Sequence, residues 1–341
     1  MKRYGNLYNK IYDIENIKLA HKNARKDKLY YHDVKMVDDN PNYYLNKISA
    51  ELCLNLYKVG EYKVKTINDK GKERVIMKLP YFPDRIVQWA ILNVIGPIFE
   101  RKFSFFSCSS IKGKGIHYCS RLIRKYLKDK ENTKYCLKLD IKKFYPNINK
   151  NILKKQLQQL FKEEKLLFLL FKIIDSTPDT KGIPIGSYLS QYLANFHLTS
   201  LDNYIKHKLK TKYVVRYMDD MAIFGATKAE LHYKLKLIKE FLDKELDLKL
   251  KENYQIFPTA IRGIDMVGYR HFYDKTLLRK SIYKSLRSKL NHINNKKKLK
   301  ARDTCIFYSY KGWIKFCNHT GLEHKYFNPC EKRLIKRKKE V

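Results

Sequence analysis

The sequence predicts a mixed α+β fold, and three observations support this prediction. Two apolar segments on either side of Asn68-Asp69-Lys70-Gly71 have the turn chemistry of a β-hairpin. A second hairpin is predicted where two apolar segments flank Asp219-Asp220. Long segments with helical spacing of apolar residues separate the two hairpins and follow the second one. Hairpins mixed with helices are typical of the α+β class.

The first hundred residues are expected to be mostly helical and basic. The predicted elements are, in order, a helix with Leu7, Ile11 and Ile14 on one face, a helix around Tyr43 to Tyr57, strands at Val64 to Ile67 and Arg74 to Met77, and an apolar helix from about Asp84 to Phe99. The hairpin strands are the only β-structure predicted in this part.

A strand is predicted from Lys134 to Asp140 because polar and apolar residues alternate there. Leu137 and Leu139 would face the core, whereas Lys138 and Asp140 would lie on the open face. Asp140 therefore ends a strand with its carboxylate on the open side.

The second half of the chain alternates between helices and strands. A helix with a polar stripe of Ser187, Gln191 and Asn195 is predicted first. This helix is predicted to run from Ser187 to Ile205. The elements predicted after it are hairpin strands Tyr213 to Tyr217 and Met221 to Phe224, a helix from about Lys228 to Leu246, short strands near Ile256 and Met266, a basic helical lobe from about Leu277, and a frayed segment from Lys332 to Val341.

The net charge of the 341-residue chain is +38, because 72 Lys and Arg residues outnumber 34 Asp and Glu residues. Hydrophobic residues make up 44% of the sequence, which is enough for a folded core, so the charge belongs to a folded protein. Self-repulsion on this scale favours a polyanionic partner, and nucleic acid is the first candidate. The 27 tyrosines interleaved with the basic residues offer stacking platforms for such a partner.

An anionic membrane could also attract this charge, but the sequence argues against a membrane protein. The longest apolar run, Leu166 to Phe171, is far too short to span a bilayer. The N-terminus shows no signal-peptide pattern. Seven scattered cysteines without a C-x-x-C pair suit a reducing environment. We therefore expect a cytoplasmic protein. A zinc site at Cys305, Cys317, His319 and Cys330 is a minor alternative, since the spacing lacks paired ligands.

Three aspartates at strand ends carry the chemical information. Asp140 ends one predicted strand, and Asp219-Asp220 form the tip of a hairpin. Clustered carboxylates repel one another, so they are stable mainly around a hard divalent cation such as Mg²⁺. Two such ions can activate an attacking hydroxyl and stabilise a leaving oxygen in phosphoryl transfer. The alternative is that Asp-Asp only makes a polar turn and Asp140 only leaves a strand.

The order of three motifs resembles the palm of a reverse transcriptase. They are Asp140-Ile141-Lys142-Lys143-Phe144-Tyr145, then Gly182-Ile183-Pro184-Ile185-Gly186-Ser187-Tyr188-Leu189-Ser190-Gln191, then Tyr217-Met218-Asp219-Asp220. Gly263 to Tyr269 looks like the primer-grip strand of this family. The resemblance covers about residues 60–275.

The resemblance implies a right-hand polymerase with fingers, palm and thumb, in which a ferredoxin-like antiparallel palm sheet carries the aspartates. It implies an N-terminal basic helical segment at 1–60, fingers with part of the palm at 61–133, the palm at 134–275, and a helical basic thumb with a C-terminal tail at 276–341. The palm would thus contain all three aspartates.

The same resemblance implies metal ligands. Asp140 and Asp219 would each ligate two Mg²⁺ ions, for which Mn²⁺ is a possible substitute. Asp220 would support the ions as a further metal-site residue, and the carbonyl of Ile141 would complete one coordination shell. Lys251 is a weak candidate for the general acid that protonates pyrophosphate, because Asn253-Tyr254-Gln255 occupies the segment where many relatives carry a Lys.

Other residues would contact the substrates. Lys72 and Arg74 match the residues that hold the incoming triphosphate, and Tyr145 matches an aromatic gate against the ribose 2′-hydroxyl. Packing of Tyr145 in the core beside Phe144 is the alternative. The remaining matched positions are Ile185, Gly186 and Gln191 at the nucleotide, and Val267, Gly268 and Tyr269 at the primer.

Motif details are similar to the reverse transcriptases of diversity-generating retroelements. The features are Ile185-Gly186 followed by Ser190-Gln191, Tyr4-Gly5-Asn6-Leu7-Tyr8 with Glu15-Asn16, the stretch Asn93 to Arg101, and Tyr310-Lys311-Gly312-Trp313. This similarity implies copying of a template-repeat RNA into cDNA from dNTPs, errors opposite template adenines, an RNA–DNA hybrid, and a small basic oligomeric accessory protein, in a bacterial or phage-infected cell.

Two alternatives stay open. A retron-like or phage-defence reverse transcriptase would use the same chemistry without adenine mutagenesis, and the Ile185 and Gln191 pair argues against it. A catalytically idle RNA-binding scaffold is the second alternative, against which the intact aspartates argue.

Overall fold

The computed structural model describes residues 3–69 and 72–339, with the backbone alone at residues 69, 72, 74 and 336–339. The chain forms two compact units. The first unit contains the chain up to Phe105, Ile141–Lys210 and Leu237–Lys251. The second unit contains Phe106–Asp140, Thr211–Lys236 and the chain from Glu252 onward. Each unit is thus assembled from segments that are distant in sequence.

Helices and strands alternate along the described residues. In chain order they are α1 (Tyr8–Tyr12), α2 (Ile14–Ala24), α3 (His32–Asp39), α4 (Pro41–Cys53), β1 (Lys63–Asp69), β2 (Lys72–Lys78), α5 (Ile86–Lys102), α6 (Ile116–Tyr126), β3 (Tyr135–Asp140), α7 (Phe144–Asn147), α8 (Lys150–Leu160), α9 (Glu164–Ile174), α10 (Tyr188–His197), α11 (Thr199–Asn203), β4 (Val214–Tyr217), β5 (Asp220–Gly225), α12 (Lys228–Leu246), β6 (Gln255–Pro258), α13 (Thr259–Arg262), β7 (Ile264–Met266), β8 (Tyr269–His271), β9 (Thr276–Leu278), α14 (Lys280–Asn295), α15 (Ala301–Ile314), α16 (Thr320–Leu322) and α17 (Asn328–Lys339). The mixed composition with antiparallel sheets confirms the predicted α+β class.

The N-terminal helices of the first unit are set by their caps. Asp13 ends α1 and begins α2, because its side chain accepts hydrogen bonds from the backbone N–H groups of Glu15 and Asn16. The sequence predicted basic helices here, with Leu7, Ile11 and Ile14 on one face. The structure has two helices, and Asp13 separates Ile11 of α1 from Ile14 of α2.

The first predicted hairpin is present in the first unit. Strands β1 and β2 pair antiparallel with Lys63 opposite Lys78, and the register continues to Asp69 opposite Lys72. The turn residues Lys70 and Gly71 lie outside the described residues. The predicted strand pair is confirmed.

The core of the first unit forms around α5. This helix buries residues on all its faces, as its nearly continuous apolar sequence requires. Helix α10 is capped by Ser187, whose hydroxyl accepts a hydrogen bond from the N–H of Ser190. The predicted single helix to Ile205 is divided after His197, because the Thr199 hydroxyl donates to the Phe196 carbonyl at 2.6 Å and competes with the helical ladder.

A four-stranded antiparallel sheet in the order β4-β5-β3-β6 organises the second unit. Strands β4 and β5 form a hairpin with Tyr217 opposite Asp220, so Met218 and Asp219 are its two-residue turn. The predicted strands at 134–140, 213–217 and 221–224 are confirmed. Cys136 is also fully buried, so β3 has neighbours on both faces.

The remainder of the second unit is a three-stranded antiparallel sheet, β7-β8-β9, followed by helices α14 to α17. Tyr269, Leu286 and Phe307 belong to the hydrophobic core of this region. The C-terminal segment was predicted to fray, which is wrong for the described residues up to Lys339. Buried Cys330 and Leu334 anchor this last helix in the core, and the Arg333 guanidinium donates to the Ile293 carbonyl.

None of the helices within residues 3–69 and 72–339 is both long and apolar enough to cross a membrane.

Candidate functional site

The three aspartates predicted as metal ligands meet at one end of the four-stranded sheet. Asp140 is the last residue of β3 and lies directly opposite Asp220, the first residue of β5. Asp219 precedes Asp220 in the β4–β5 turn. All three are partly buried. The sheet register therefore brings together carboxylates that are about 80 residues apart in sequence.

The turn that carries Asp219 is supported by a buried arginine. Arg216 is fully buried in β4, and its Nη1 donates to the carbonyl of Met218 at 3.0 Å. Met218 adopts a left-handed conformation with φ of 54°, which such a tight turn requires. Two backbone hydrogen bonds also fix Arg216. Its backbone N–H donates to the carbonyl of Phe106 at 3.0 Å, and its backbone carbonyl accepts from the N–H of Cys108 at 2.8 Å. Sequence reasoning missed Arg216, although a charged residue inside an apolar strand was the available signal.

Lys138 is the second residue near the aspartates that sequence reasoning did not assign to the site. It lies on β3 two residues before Asp140, and its ammonium forms an ion pair with Asp220. Only 21% of its side chain is exposed. Burial is the largest cause that lowers the pKa of Lys138, to about 8, and the nearby Cys136 and Asp140 oppose this shift. The open face predicted for Lys138 is therefore largely covered.

The donor chemistry of the three aspartates suits a hard divalent cation, because carboxylate oxygens are the ligands that Mg²⁺ prefers. In the described conformation the ammonium of Lys138 already neutralises part of the negative charge. No three His, Cys, Asp or Glu side chains among residues 3–69 and 72–339 are arranged to share one ion. Of the cysteines in the zinc alternative, Cys305 is exposed, whereas Cys317 and Cys330 are buried.

The segment around Gly186 is held against the first hairpin within the first unit. The carbonyl of Ile185 accepts a hydrogen bond from the N–H of Met77 at 3.0 Å. Gly186 has a φ of 117°, and a Cβ placed on it would lie 3.2 Å from a methyl carbon of Ile76. Only glycine therefore fits this backbone without strain. Both contacts place Ile185 and Gly186 beside the strand β2, whose Lys72 and Arg74 have side chains outside the described residues.

Tyr145 lies in the short helix α7 of the first unit. Its carbonyl accepts from the N–H of Ile183 at 3.1 Å, which links it to the segment before Ile185. Its ring is partly buried and meets the ring of Phe144 edge-on, with 5.7 Å between the ring centroids. The gate and the core-packing interpretations of Tyr145 both stay open.

The other predicted residues of the first unit are Ile141, Gln191 and Lys251. Ile141 is fully buried and pairs with Leu250 through an isolated β-bridge. Gln191 is partly buried in α10, one turn after its cap. Lys251, the candidate general acid, is partly buried directly after that bridge. Their assigned roles stay predictions.

The predicted primer-grip residues form the β7–β8 turn of the second unit. Val267 and Gly268 both have positive φ, 50° and 87°. Tyr269 is fully buried, and its hydroxyl donates to the carbonyl of Trp313 at 2.9 Å. Burial raises the pKa of the Tyr269 phenol well above its usual value. Gly268 is buried beside Trp313 and Ile282, Val267 is partly buried, and the Tyr269 ring packs inward.

Comparison with known proteins gives a family match over the central part of the chain. The family described as "Reverse transcriptase (RNA-dependent DNA polymerase)" matches residues 63–257. The COX1/OXI3 intron 2 protein of Saccharomyces cerevisiae is 23% identical over 268 residues, covering 74% of this chain and 30% of that protein. The retron Ec73 reverse transcriptase of Escherichia coli is 24% identical over 287 residues, covering 76% of this chain and 86% of that protein. The chain thus spans less than a third of the yeast protein's length.

Solved structures with a similar fold include two telomerases. The telomerase of Candida tropicalis, in complex with a fragment of telomeric RNA, aligns with a TM-score of 0.51 at 14% identity, covering 84% of this chain and 59% of that one. The telomerase of Candida albicans aligns with a TM-score of 0.50 at 11% identity, covering 76% of this chain and 55% of that one. At these identities the similarity concerns the fold alone.

Proposed function

Because the chain belongs to the reverse transcriptase (RNA-dependent DNA polymerase) family, we propose that it copies an RNA template into cDNA from dNTPs. The observation that carries this proposal is the convergence of Asp140, Asp219 and Asp220 at one end of a single antiparallel sheet. The net charge of +38 suits a protein that holds RNA and an RNA–DNA hybrid.

The aspartates are proposed to hold two Mg²⁺ ions, with Mn²⁺ as a possible substitute. Bound ions would supply activation of the primer hydroxyl and stabilisation of the leaving pyrophosphate. In this proposal Asp140 and Asp219 provide carboxylates to both ions, Asp220 supports the ions with a further carboxylate, and the carbonyl of Ile141 adds an oxygen ligand. Arg216 acts as a positioning residue, because its bond to the Met218 carbonyl fixes the turn before Asp219.

Residues of the first unit are proposed to bind the incoming nucleotide. Lys72 and Arg74 would hold its triphosphate. The Ile185 carbonyl is tied to β2, and Gly186 allows close approach of the backbone there, which supports a role of this segment beside the nascent base pair. Tyr145 would exclude the ribose 2′-hydroxyl, and Gln191 would line the same region.

In this proposal the chain has the fingers, palm and thumb of a right-hand polymerase. The palm sheet corresponds to β4-β5-β3-β6, and the thumb corresponds to the C-terminal helices. The β7–β8 turn at Val267 and Gly268 would contact the primer through its backbone, and the buried Tyr269 ring would hold that turn in place.

For the biological role we propose a diversity-generating retroelement. The chain would copy a template-repeat RNA with errors at template adenines, together with a small basic oligomeric accessory protein. The support is Ile185 at the nucleotide segment, where an apolar side chain offers shape but no hydrogen bond. The alternative is a retron-like enzyme, which the match over 86% of the retron Ec73 protein favours.

The polymerase proposal is tested by primer extension on an RNA template with the Asp219→Asn and Asp140→Asn variants. Each substitution removes one negative charge at the proposed ions, so activity should fall by at least about 10²–10³-fold, the usual cost of removing one electrostatic stabiliser. RNA affinity should be retained. Asp243→Asn is the control, because Asp243 is an exposed aspartate on α12 to which no role in the site is assigned. Near-wild-type extension by Asp219→Asn would show that the site assignment is wrong.

A further inference from the structure

The second unit contains a basic cavity that the polymerase site does not use. It has a volume of about 530 Å³. Its lining is formed by α6 and the segment that follows it, by the β8–β9 turn, and by Asn318; the lining residues of these two segments are Arg121, Arg124, Lys125, Lys128, Phe272, Tyr273, Asp274, Lys275 and Thr276. Five of these side chains are cationic.

The cations form a row on one face of α6. Arg121, Arg124 and Lys125 are exposed on this helix, and Lys128 follows in the turn after it. Arg124, Lys125 and Lys128 follow Arg121 by three, four and seven positions, so all four lie on one side of the helix. The buried face on the other side consists of Cys119, Leu122, Ile123 and Tyr126. The row is about 10 Å long, a length over which one nucleic-acid strand carries about three phosphates.

The charge of this row is not neutralised within the described part of the chain. None of Arg121, Arg124, Lys125 and Lys128 forms an ion pair with a described residue. Asp274 is the one acid among the lining residues, all of which are described, and its partner is Lys275 at 3.6 Å. The field of Arg124 also contributes, after burial, to lowering the pKa of the nearby His271 to about 4. The cavity is therefore strongly electropositive.

The wall opposite α6 is held in place by contacts of its aromatic residues. The Tyr273 hydroxyl donates to the carbonyl of Thr133 at 2.8 Å. The Phe272 ring lies beneath the Lys275 ammonium, which is 5.7 Å from the ring centroid. A fixed wall facing a row of cations forms a site for an extended anion.

The cavity is remote from the aspartates within the same unit. The cavity wall contacts Thr133, which precedes β3, whereas Asp140 is the last residue of that strand. The length of β3, about 15–20 Å, therefore separates the cavity from Asp140. The β8–β9 turn likewise lies at the end of β8 opposite to the β7–β8 turn that contains Val267 and Gly268. A strand bound in this cavity would not occupy the reaction site.

We propose that this cavity is a second RNA-binding site, in which Arg121, Arg124, Lys125 and Lys128 together contact about three successive phosphates of a single RNA strand. Its function would be to hold a part of the RNA that is not being copied. The proposal rests on the proposed function only in the choice of RNA as the polyanion. A membrane surface fits less well, because the row of cations faces a concave cavity with an aromatic wall.

The first experiment is photo-cross-linking of the wild-type protein to a 40-nucleotide single-stranded RNA of mixed sequence that contains 4-thiouridine. Cross-linked peptides identified by mass spectrometry should include residues 121–128 or 272–276. Cross-linking needs no polymerisation, so its result is separate from the test of the aspartates. Absence of cross-links in both segments, with cross-links elsewhere in the chain, would overturn the proposal.

The second experiment compares two double variants that each remove two charges. Arg124→Gln with Lys128→Gln should weaken binding of the same RNA by roughly 2–30-fold at moderate salt. The slope of log affinity against log salt should become less negative by about 1.4, since each lost phosphate contact contributes about 0.7. The control combines Lys236→Gln and Lys244→Gln, both exposed on α12 and outside the cavity.

Thermal unfolding verifies that both double variants are folded. Equal slopes for the cavity variant and the control variant would exclude this site. Loss of binding to vesicles of anionic phosphatidylserine, with unchanged RNA binding, would identify a membrane contact instead and would also overturn the proposal.

Discussion

Lys138 of β3 reaches diagonally across the sheet to form an ion pair with Asp220 of β5, the residue that lies opposite Asp140. The pair places one cation among three carboxylates. Because like charges in a partly buried cluster repel one another, this ammonium stabilises the fold of the proposed catalytic end. It also competes with any divalent ion for Asp220.

Replacement of Lys138 by Met should therefore strengthen the binding of Mg²⁺ at the aspartates. The half-saturating Mg²⁺ concentration for primer extension is expected to fall by up to about tenfold, equivalent to ~1.4 kcal/mol. Lys134→Met is the control, because Lys134 is exposed directly before the same strand. A Mg²⁺ requirement that rises or stays constant in Lys138→Met would mean that Lys138 does not compete with the ions.

Gly268→Ala should destabilise the second unit. A Cβ at Gly268 would lie 2.5 Å from Trp313 and 2.9 Å from Ile282, and the φ of 87° disfavours any L side chain. The left-handed backbone costs ~1–2 kcal/mol, and overpacking adds ~1–3 kcal/mol. Chemical denaturation measures this loss. The control is Gly312→Ala, where a Cβ has open space. Equal stability of the two variants would contradict the tight packing at this turn.

The strands that carry the aspartates could be predicted from sequence because they combine alternation with clear turn residues. β3, β4 and β5 were located to within about one residue, and their ends positioned Asp140 and Asp219 correctly along the chain. The register could not be predicted. It decides that Asp140 faces Asp220 and that Lys138 pairs across the sheet, and it depends on packing from both sides of β3.

Other features gave weaker signals. Strands β8 and β9 have three residues each, too few for a period of two to be recognised. The spacing of the cations in α6 predicts that they share one face of a helix. A charged helix face usually only contacts solvent, so this pattern alone does not indicate a binding site. The wall formed by the β8–β9 turn, which makes it a cavity, arises from residues about 150 positions later in the chain. Roles of Tyr145, Ile185 and Gln191 stay predictions, since they depend on substrates.

Truncation of Tyr145 should relax the choice between ribonucleotides and deoxyribonucleotides. Tyr145→Ala is expected to improve rNTP incorporation relative to dNTP by at least about tenfold, or ~1.4 kcal/mol of discrimination, because the ring no longer blocks the 2′-hydroxyl. Tyr145→Phe keeps the ring and should keep the selectivity. Single-nucleotide extension with each triphosphate measures this ratio. An unchanged ratio in Tyr145→Ala would support packing against Phe144 as the role of this ring.

Stability should decrease as the pH falls below about 6.5, partly because of His197. Burial lowers the pKa of His197 to about 4, and its Nδ1 contacts the Gln156 side-chain oxygen at 2.8 Å. As the pH falls, the unfolded chain therefore binds a proton at this histidine before the folded chain does. The free energy of unfolding is at its full value above the unfolded-state pKa of ~6.5, and it decreases as the pH falls towards 4. At pH 5, His197 should lower the free energy of unfolding by about 2 kcal/mol relative to neutral pH.

Urea unfolding at pH 7.5, 6.5, 5.5 and 5.0 measures this dependence. His197→Gln should show a smaller loss over the same range. His232→Gln is the control, because His232 is exposed on α12. If His197→Gln and the wild type lose stability equally, His197 does not carry this pH dependence.

The last prediction concerns copying fidelity and rests on Ile185. The backbone of Ile185 is fixed by its bond to Met77, so a substitution changes the side chain beside β2 without releasing the segment. An isoleucine offers shape alone, whereas a glutamine could make a hydrogen bond that a correct base pair satisfies better than a wrong one. Such a contact is worth ~1–3 kcal/mol when its loss leaves a buried polar group unpaired, and ~1.4 kcal/mol is a factor of ten.

Ile185→Gln should therefore reduce errors opposite template adenine by about tenfold or more, and Arg74→Ala should alter them by weakening the grip on the triphosphate. The measurement is to copy an adenine-rich RNA with each variant and to count substitutions by template base. Ile185→Val is the control, since it keeps an apolar side chain and should keep the wild-type error rate. Equal rates for wild type and Ile185→Gln would remove Ile185 from the mechanism. Wild-type errors spread evenly over all four template bases would favour the retron-like alternative, because adenine-directed mutagenesis is the property that separates the two proposed roles.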